Sequence, residues 1–103
     1  MDIRNEWLSG LRSWANANDS VRQLWLFGSR ATGRSRPDSD VDLALALMPG
    51  ALGNYVALES KWKRQLEEIV GCHVSLEPLV PDSDLVEIVR ISGVLLWSRG
   101  PKL

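Results

Sequence analysis

The sequence predicts a small α/β (α+β) domain, a mixed sheet of three to four strands flanked by helices. Three observations carry this. Two short apolar runs, Val21–Phe27, rich in Val, Leu, Trp and Phe, and Val41–Leu47, made of Val, Leu and Ala apart from Asp42, are bounded by turn residues as strands are. Two longer stretches repeat apolar residues at helical spacing and alternate with the strands along the chain. A length of 103 residues suits one modest core and not two, so residues 1–103 are expected to form a single domain.

From Ile3 to Ala17, the residues Ile3, Trp7, Leu8, Leu11, Trp14 and Ala15 mark an amphipathic first helix. Asp2 is its expected cap, and the Asn16–Ser20 polar cluster ends it. Val21–Phe27 is a buried strand stopped by Gly28. Ser29–Gly33 has room for one helical turn, and Pro37 keeps Arg34–Ser39 as loop. Val41–Leu47 is nearly continuous in apolar character, which predicts cover on both faces of the sheet. The connection between these two strands is too short for a full crossover helix, so they are expected to pair antiparallel.

Between Leu52 and Val70, the residues Tyr55, Leu58, Trp62, Leu66 and Ile69 form the stripe of the main helix. Glu59 and Lys63 form an expected i,i+4 pair outside it, and Gly71 stands where a helix-ending glycine belongs. His73–Leu79 reads as a third strand with Pro78 near its end. A short helix starts at Asp82–Asp84, with Asp84 and Glu87 resembling a capping box, and Gly93 ends it. Val94–Trp97 is a last edge strand, and Arg99–Leu103 a frayed tail.

Hydrophobic residues make up 45% and charged residues 24%, the balance of a globular chain and not of a disordered or fibrous one. A net charge of −1 gives no bulk field for nucleic acid or an anionic membrane, and neither is an expected partner. Cys72 is the only cysteine, which excludes an internal disulfide and fits a reducing compartment. The start, MDIRNEWLSG, lacks the apolar stretch of a signal peptide, and no apolar run approaches membrane-spanning length. A soluble, cytoplasmic protein is expected. Trp7, Trp14 and Trp62 fall on helical stripes. Yet a chain this short cannot easily bury all five tryptophans, and a half-exposed Trp marks interfaces.

The chemistry concentrates in Leu24–Leu47. Asp40 and Asp42, one residue apart at the mouth of the second strand, project to one face. Two such carboxylates repel unless a cation lies between them, and hard oxygen ligands suit Mg²⁺. Gly28-Ser29 closes a strand and opens a helical turn, where backbone N–H groups and a hydroxyl can cradle phosphate. The same pair also reads as an ordinary strand terminator and N-cap, and Asp38-Ser39-Asp40 as a polar turn with Asp42 a strand-edge charge. Gly28-x-x-x-x-Gly33-Arg34-Ser35 imitates a Walker A loop, but Pro37 and the following strand exclude the long helix that such a loop requires. Arg30, Arg34 and Arg36 lie beside the aspartates, as triphosphate contacts or as a solvated basic loop. His73, the only histidine, is placed to bond phosphate or simply to close a strand end.

Together these pieces make a longer pattern: a strand ending in Gly-Ser, ten intervening residues, then Asp-x-Asp opening an apolar strand. GSRATGRSRPDSDVDLAL resembles the DNA polymerase β-like nucleotidyltransferase superfamily, and in particular its minimal nucleotidyltransferases, often encoded beside a HEPN-domain protein. The resemblance is strongest over Leu24–Leu47 and extends more loosely to Trp97. It implies the nucleotidyltransferase fold and transfer of AMP from ATP to an acceptor hydroxyl. By that resemblance, Gly28 and Ser29 hold the β- and γ-phosphates, with Arg30 and Arg34 steadying their charge, and Asp40 and Asp42 bind Mg²⁺. The family usually carries a third carboxylate on the third strand as general base and metal ligand. Ser75 stands there in this chain, and Glu77, two residues on and on the same face, is the expected substitute. The implied partner is a HEPN ribonuclease toxin, with this chain as the antitoxin that adenylylates it. Two other readings stand beside it: an impaired nucleotidyltransferase fold that neutralises by contact, and an enzyme modifying a small molecule such as an aminoglycoside.

Overall fold

A computed structural model describes residues 1–100 of the chain. Its elements are α1 (Asn5–Ala17), β1 (Val21–Phe27), α2 (Ser29–Thr32), β2 (Val41–Leu47), α3 (Leu52–Val70), β3 (Val74–Pro78), α4 (Asp84–Ser92) and β4 (Val94–Ser98). The four strands form one mixed sheet in the order β3-β2-β1-β4. β1 runs antiparallel to both β2 and β4, whereas β2 and β3 are parallel. The expected antiparallel pairing of the first two strands is present. The parallel pair is joined through α3, the full helix that such a crossover needs.

Strand alternation gives the sheet two unlike faces. Leu24, Leu26, Val41, Leu43, Leu45, Val74 and Leu76 project to one of them. There they join Leu11 and Ala15 of α1 and Tyr55, Trp62, Leu66 and Val70 of α3 in the main core. Trp62 meets both Trp14 and Tyr55 edge-to-face, with ring centroids 6.0 and 6.1 Å apart. The opposite face carries Trp25 and Phe27 of β1, Asp42, Ala44 and Ala46 of β2, and Ser75 and Glu77 of β3. The short helix α4 packs there, against β1. Cover on both faces is therefore real but unequal, and the end bearing Asp42 stays half-exposed.

Several local expectations give way to longer-range contacts. Asp2 does not cap α1, whose N-cap is Arg4 with no side-chain bond. Its carboxylate instead accepts from the Ser35 hydroxyl at 2.7 Å, a bond that holds its pKa below the ordinary value. Glu59 accepts from the Tyr55 hydroxyl at 2.9 Å in place of pairing with Lys63. Ser83 is the N-cap of α4 without a side-chain bond, and Glu87 pairs with Arg90 instead of closing a capping box. Arg99, placed in a frayed tail by sequence, donates to the carbonyls of Val21 and Asn18 and stacks on Trp97. The rest of that tail beyond Gly100 lies outside the described residues.

Backbone groups left over at the margins of the sheet find side-chain partners, as buried polar groups must. The Val74 N–H donates to Glu67 Oε2 at 3.0 Å, and the Leu76 carbonyl accepts from the Tyr55 hydroxyl at 3.3 Å. In β4 the register slips between the partners of Leu24 and Trp25, leaving Leu96 unpaired. Its carbonyl accepts from Arg12 Nε at 2.9 Å.

Candidate active site

β1 delivers the chain to Gly28, whose φ of 73° and ψ of −157° lie in a region that glycine alone occupies readily. There is a second reason for glycine here. A Cβ at this position would collide with Oδ2 of Asp42, so the backbone and that carboxylate are in near contact. α2 follows at once, with the Ala31 and Thr32 N–H groups returning to the Gly28 carbonyl. The N–H groups that precede them in this turn have no acceptor within the helix and face outward from its start.

Asp42 pairs across the sheet with Phe27 on one side and with Ser75 on the other. It is half-buried, and its carboxyl is held above the ordinary value, first by burial and then by the charge of Asp40, with His73 opposing. Asp40 precedes β2 and is exposed. His73 Nδ1 lies 3.2 Å from Asp40 Oδ2. The structure thus brings Gly28, Asp40, Asp42 and His73 together at one corner of the sheet. The His73 contact was not legible in sequence, because it depends on the parallel register that sets Val41 beside Val74.

The third-strand position is Ser75, directly beside Asp42 in the register. Glu77 shares that face but stands beside Ala44, two residues further along and about 7 Å away by strand rise. The backbone does not bring Glu77 to the aspartate pair.

Arg30 departs from its expected place at the phosphates. It is buried, with 6% of its surface exposed. Nε and Nη2 donate to the Ser39 carbonyl at 3.1 and 2.7 Å, and Nη1 donates to the Asp2 carbonyl at 3.0 Å. Its guanidinium also lies 5.3 Å from the centre of the Trp7 ring. With its donors committed to backbone, Arg30 fixes the loop that ends at Ser39 and so the starting point of Asp40. Arg34 and Arg36 are exposed on that loop.

Among the described residues, no group of three or more His, Cys, Asp or Glu side chains forms a ready-made metal cage. Mg²⁺ does not ask for one, since it is commonly held by one or two carboxylates together with substrate phosphates. Asp40 and Asp42 fit that use. A divalent cation would relieve their mutual repulsion and the cost of burying Asp42, and the missing side chain at Gly28 lets the Asp42 carboxylate lie against the main chain at the start of α2.

The family profile described as polymerase beta, nucleotidyltransferase matches residues 10–102. The chain belongs to this family. Among solved structures, this nucleotidyltransferase domain is similar to a chain of a toxin–antitoxin crystallised with AMP-PNP, at TM-score 0.70 and 18% identity over 89% of this chain and 73% of that one. It is also similar to a chain of the MntA–HepT toxin–antitoxin, at TM-score 0.65 and 18% identity over 93% and 74% of the two chains. A third likeness is to a chain of the complex between a tri-AMPylated Shewanella oneidensis HEPN toxin and an MNT antitoxin. There the TM-score is 0.63 and the identity 16%, over 90% of this chain and 71% of that one. At such identities the likeness is one of fold. Among curated proteins there is no sequence match. No helix among the described residues is long and apolar enough to cross a membrane.

Proposed function

We propose that this nucleotidyltransferase domain moves AMP from ATP onto a hydroxyl of a protein partner, in a reaction dependent on Mg²⁺. The near contact between Gly28 and Asp42 carries the reading, because it sets the main chain at the start of α2 directly against a carboxylate pair. Asp40 and Asp42 would hold Mg²⁺, which when bound neutralises triphosphate charge and favours loss of the acceptor proton. Gly28 and Ser29 orient the β- and γ-phosphates. The acceptor hydroxyl loses its proton to solvent as its oxygen forms a bond to the α-phosphorus, the bond from that phosphorus to the bridging oxygen breaks, and pyrophosphate leaves. The partner we favour is a HEPN ribonuclease toxin. Its support is the shared fold with toxin–antitoxin chains, one crystallised with AMP-PNP and one in complex with an AMPylated HEPN toxin.

Ser75 beside Asp42 favours a second reading, an antitoxin that neutralises by contact with weakened catalysis. Intact-mass measurement separates the two after incubation with a HEPN protein encoded beside it, ATP and Mg²⁺. Whole AMP units gained by the partner, and lost with Asp40→Ala/Asp42→Ala, establish transfer. A neutralised partner of unchanged mass leaves the contact mechanism.

A further inference from the structure

Beyond the aspartate corner, the same face of the sheet opens into a cavity of about 620 Å³, within the range of small-molecule sites. Ala46, one of its lining residues, lies four residues along β2 from Asp42, about 13 Å by strand rise, so the cavity is separate from the metal corner. Trp25 and Ala46 line it from the sheet, Val86 and Val89 from α4, and Met48 and Leu79 from the adjoining loops. Its mouth is not neutral. The register of β1 against β2 slips between Val21 and Gln23, which leaves Arg22 as the extra residue of a bulge. Bulges re-aim side chains, and here Arg22 and Gln23 both line the cavity. Gln23 Oε1 already accepts from the Trp25 indole N–H at 3.1 Å, so its amide nitrogen is left to donate. Arg22 is exposed, and no side-chain hydrogen bond or ion pair joins it to the other described residues. Arg90, the other cation at the rim, is already neutralised by Glu87. An apolar chamber with one cation at its mouth left uncompensated among the described residues has a definite complement.

We propose that this cavity binds a small amphipathic anion, with its apolar body against Trp25, Met48 and Val86 and its charged group on Arg22. The proposal stands apart from the transferase reading and needs neither ATP nor Mg²⁺. Its test uses the full chain, isotope-labelled for two-dimensional amide NMR and titrated with hydrocinnamate and, separately, with the matching neutral amide. Shifts are expected to centre on the start of β1, the turn after β2, Leu79–Val80 and α4. The carboxylate should bind about fivefold more tightly than the amide, the scale of an exposed charge pair. Arg22→Gln should erase that preference while leaving amide binding in place. Val86→Trp should block both ligands, and Leu79→Trp does so from the loop side if the helix variant does not fold. Absence of binding overturns the proposal. So do shifts centred on Gly28–Asp42, equal affinity for the two ligands, or a carboxylate preference that survives Arg22→Gln.

Discussion

Asp42 and Ser75 stand side by side on parallel strands, so the β3 partner of the half-buried carboxylate carries a hydroxyl and no charge. Ser75→Asp would place a third carboxylate against the pair. Without a divalent cation, the added repulsion should lower stability by about 1–2 kcal/mol. Mg²⁺ should restore the loss, seen as a melting temperature that rises with Mg²⁺ more steeply than in the parent protein. On the transferase reading, the same variant should raise the rate of AMP transfer. Asp42→Asn should lower that rate about a hundredfold or more. Glu77→Gln, beside Ala44, should lower it far less, and equal losses in the two would show that Glu77 reaches the metal.

Gly28 and Gly33 both have positive φ, at 73° and 77°, but only Gly28 faces an obstacle. Gly33→Ala should cost about 1 kcal/mol for its left-handed backbone alone. Gly28→Ala should cost more, about 2–4 kcal/mol, because its methyl group also displaces the Asp42 carboxylate. Chemical denaturation of the two variants measures the difference. Titration with ATP and Mg²⁺ should show lost nucleotide binding in Gly28→Ala and retained binding in Gly33→Ala.

Arg30→Met keeps the apolar stem of the side chain but abandons the backbone carbonyls of Ser39, Asp2 and Pro37. A destabilisation of about 2–4 kcal/mol is expected. Arg30→Lys should recover only part of it, since an ammonium cannot reproduce the planar fork. Amide exchange should quicken at Pro37–Asp40 in both variants, and unchanged exchange there would deny Arg30 its part in placing Asp40.

Tyr55 is the only tyrosine, so the phenolate absorbance band reports on it alone. Burial, then the hydrogen bond to Glu59 and the charges of Glu59 and Glu77, raise its pKa above the usual 10.0. The folded chain therefore holds this proton more firmly than the unfolded one. Its contribution to stability is complete below about pH 10 and is lost as pH rises through the higher folded value. Stability measured against pH should fall on the alkaline side, and Tyr55→Phe should flatten that fall. A phenolate band appearing in the ordinary tyrosine range with the fold intact would contradict this.

The strands, the main helices and the Asp40–Asp42 pair were legible because each rests on local pattern: period, turn residues, spacing. The antiparallel pairing of β1 and β2 followed from the length of one loop. What escaped was whatever two distant segments decide together. Asp2 has the look of a helix cap, but Ser35 and Arg30 claim it across the fold. Arg30 looks like a phosphate ligand because its neighbours in sequence are Gly28 and Ser29. Its neighbours in space are Trp7 and the carbonyl of Ser39. Glu77 shares a face with Ser75 by alternation, yet only the register against β2 reveals that Ala44, not Asp42, lies beside it. The β1 bulge that turns Arg22 toward the cavity has no signature in the strand's composition.

The side chains that finish the margins of the sheet have a consequence for how this protein meets others. An open strand edge invites another strand to add on, the route to swapping and fibre growth. Along β3, Glu67 and Tyr55 already occupy backbone groups that an incoming strand would need, and in β4 the unpaired Leu96 breaks the regular template. Recruitment by strand addition is thus discouraged at both ends. A partner is left to dock on side chains, where the match can be selective and still reversible.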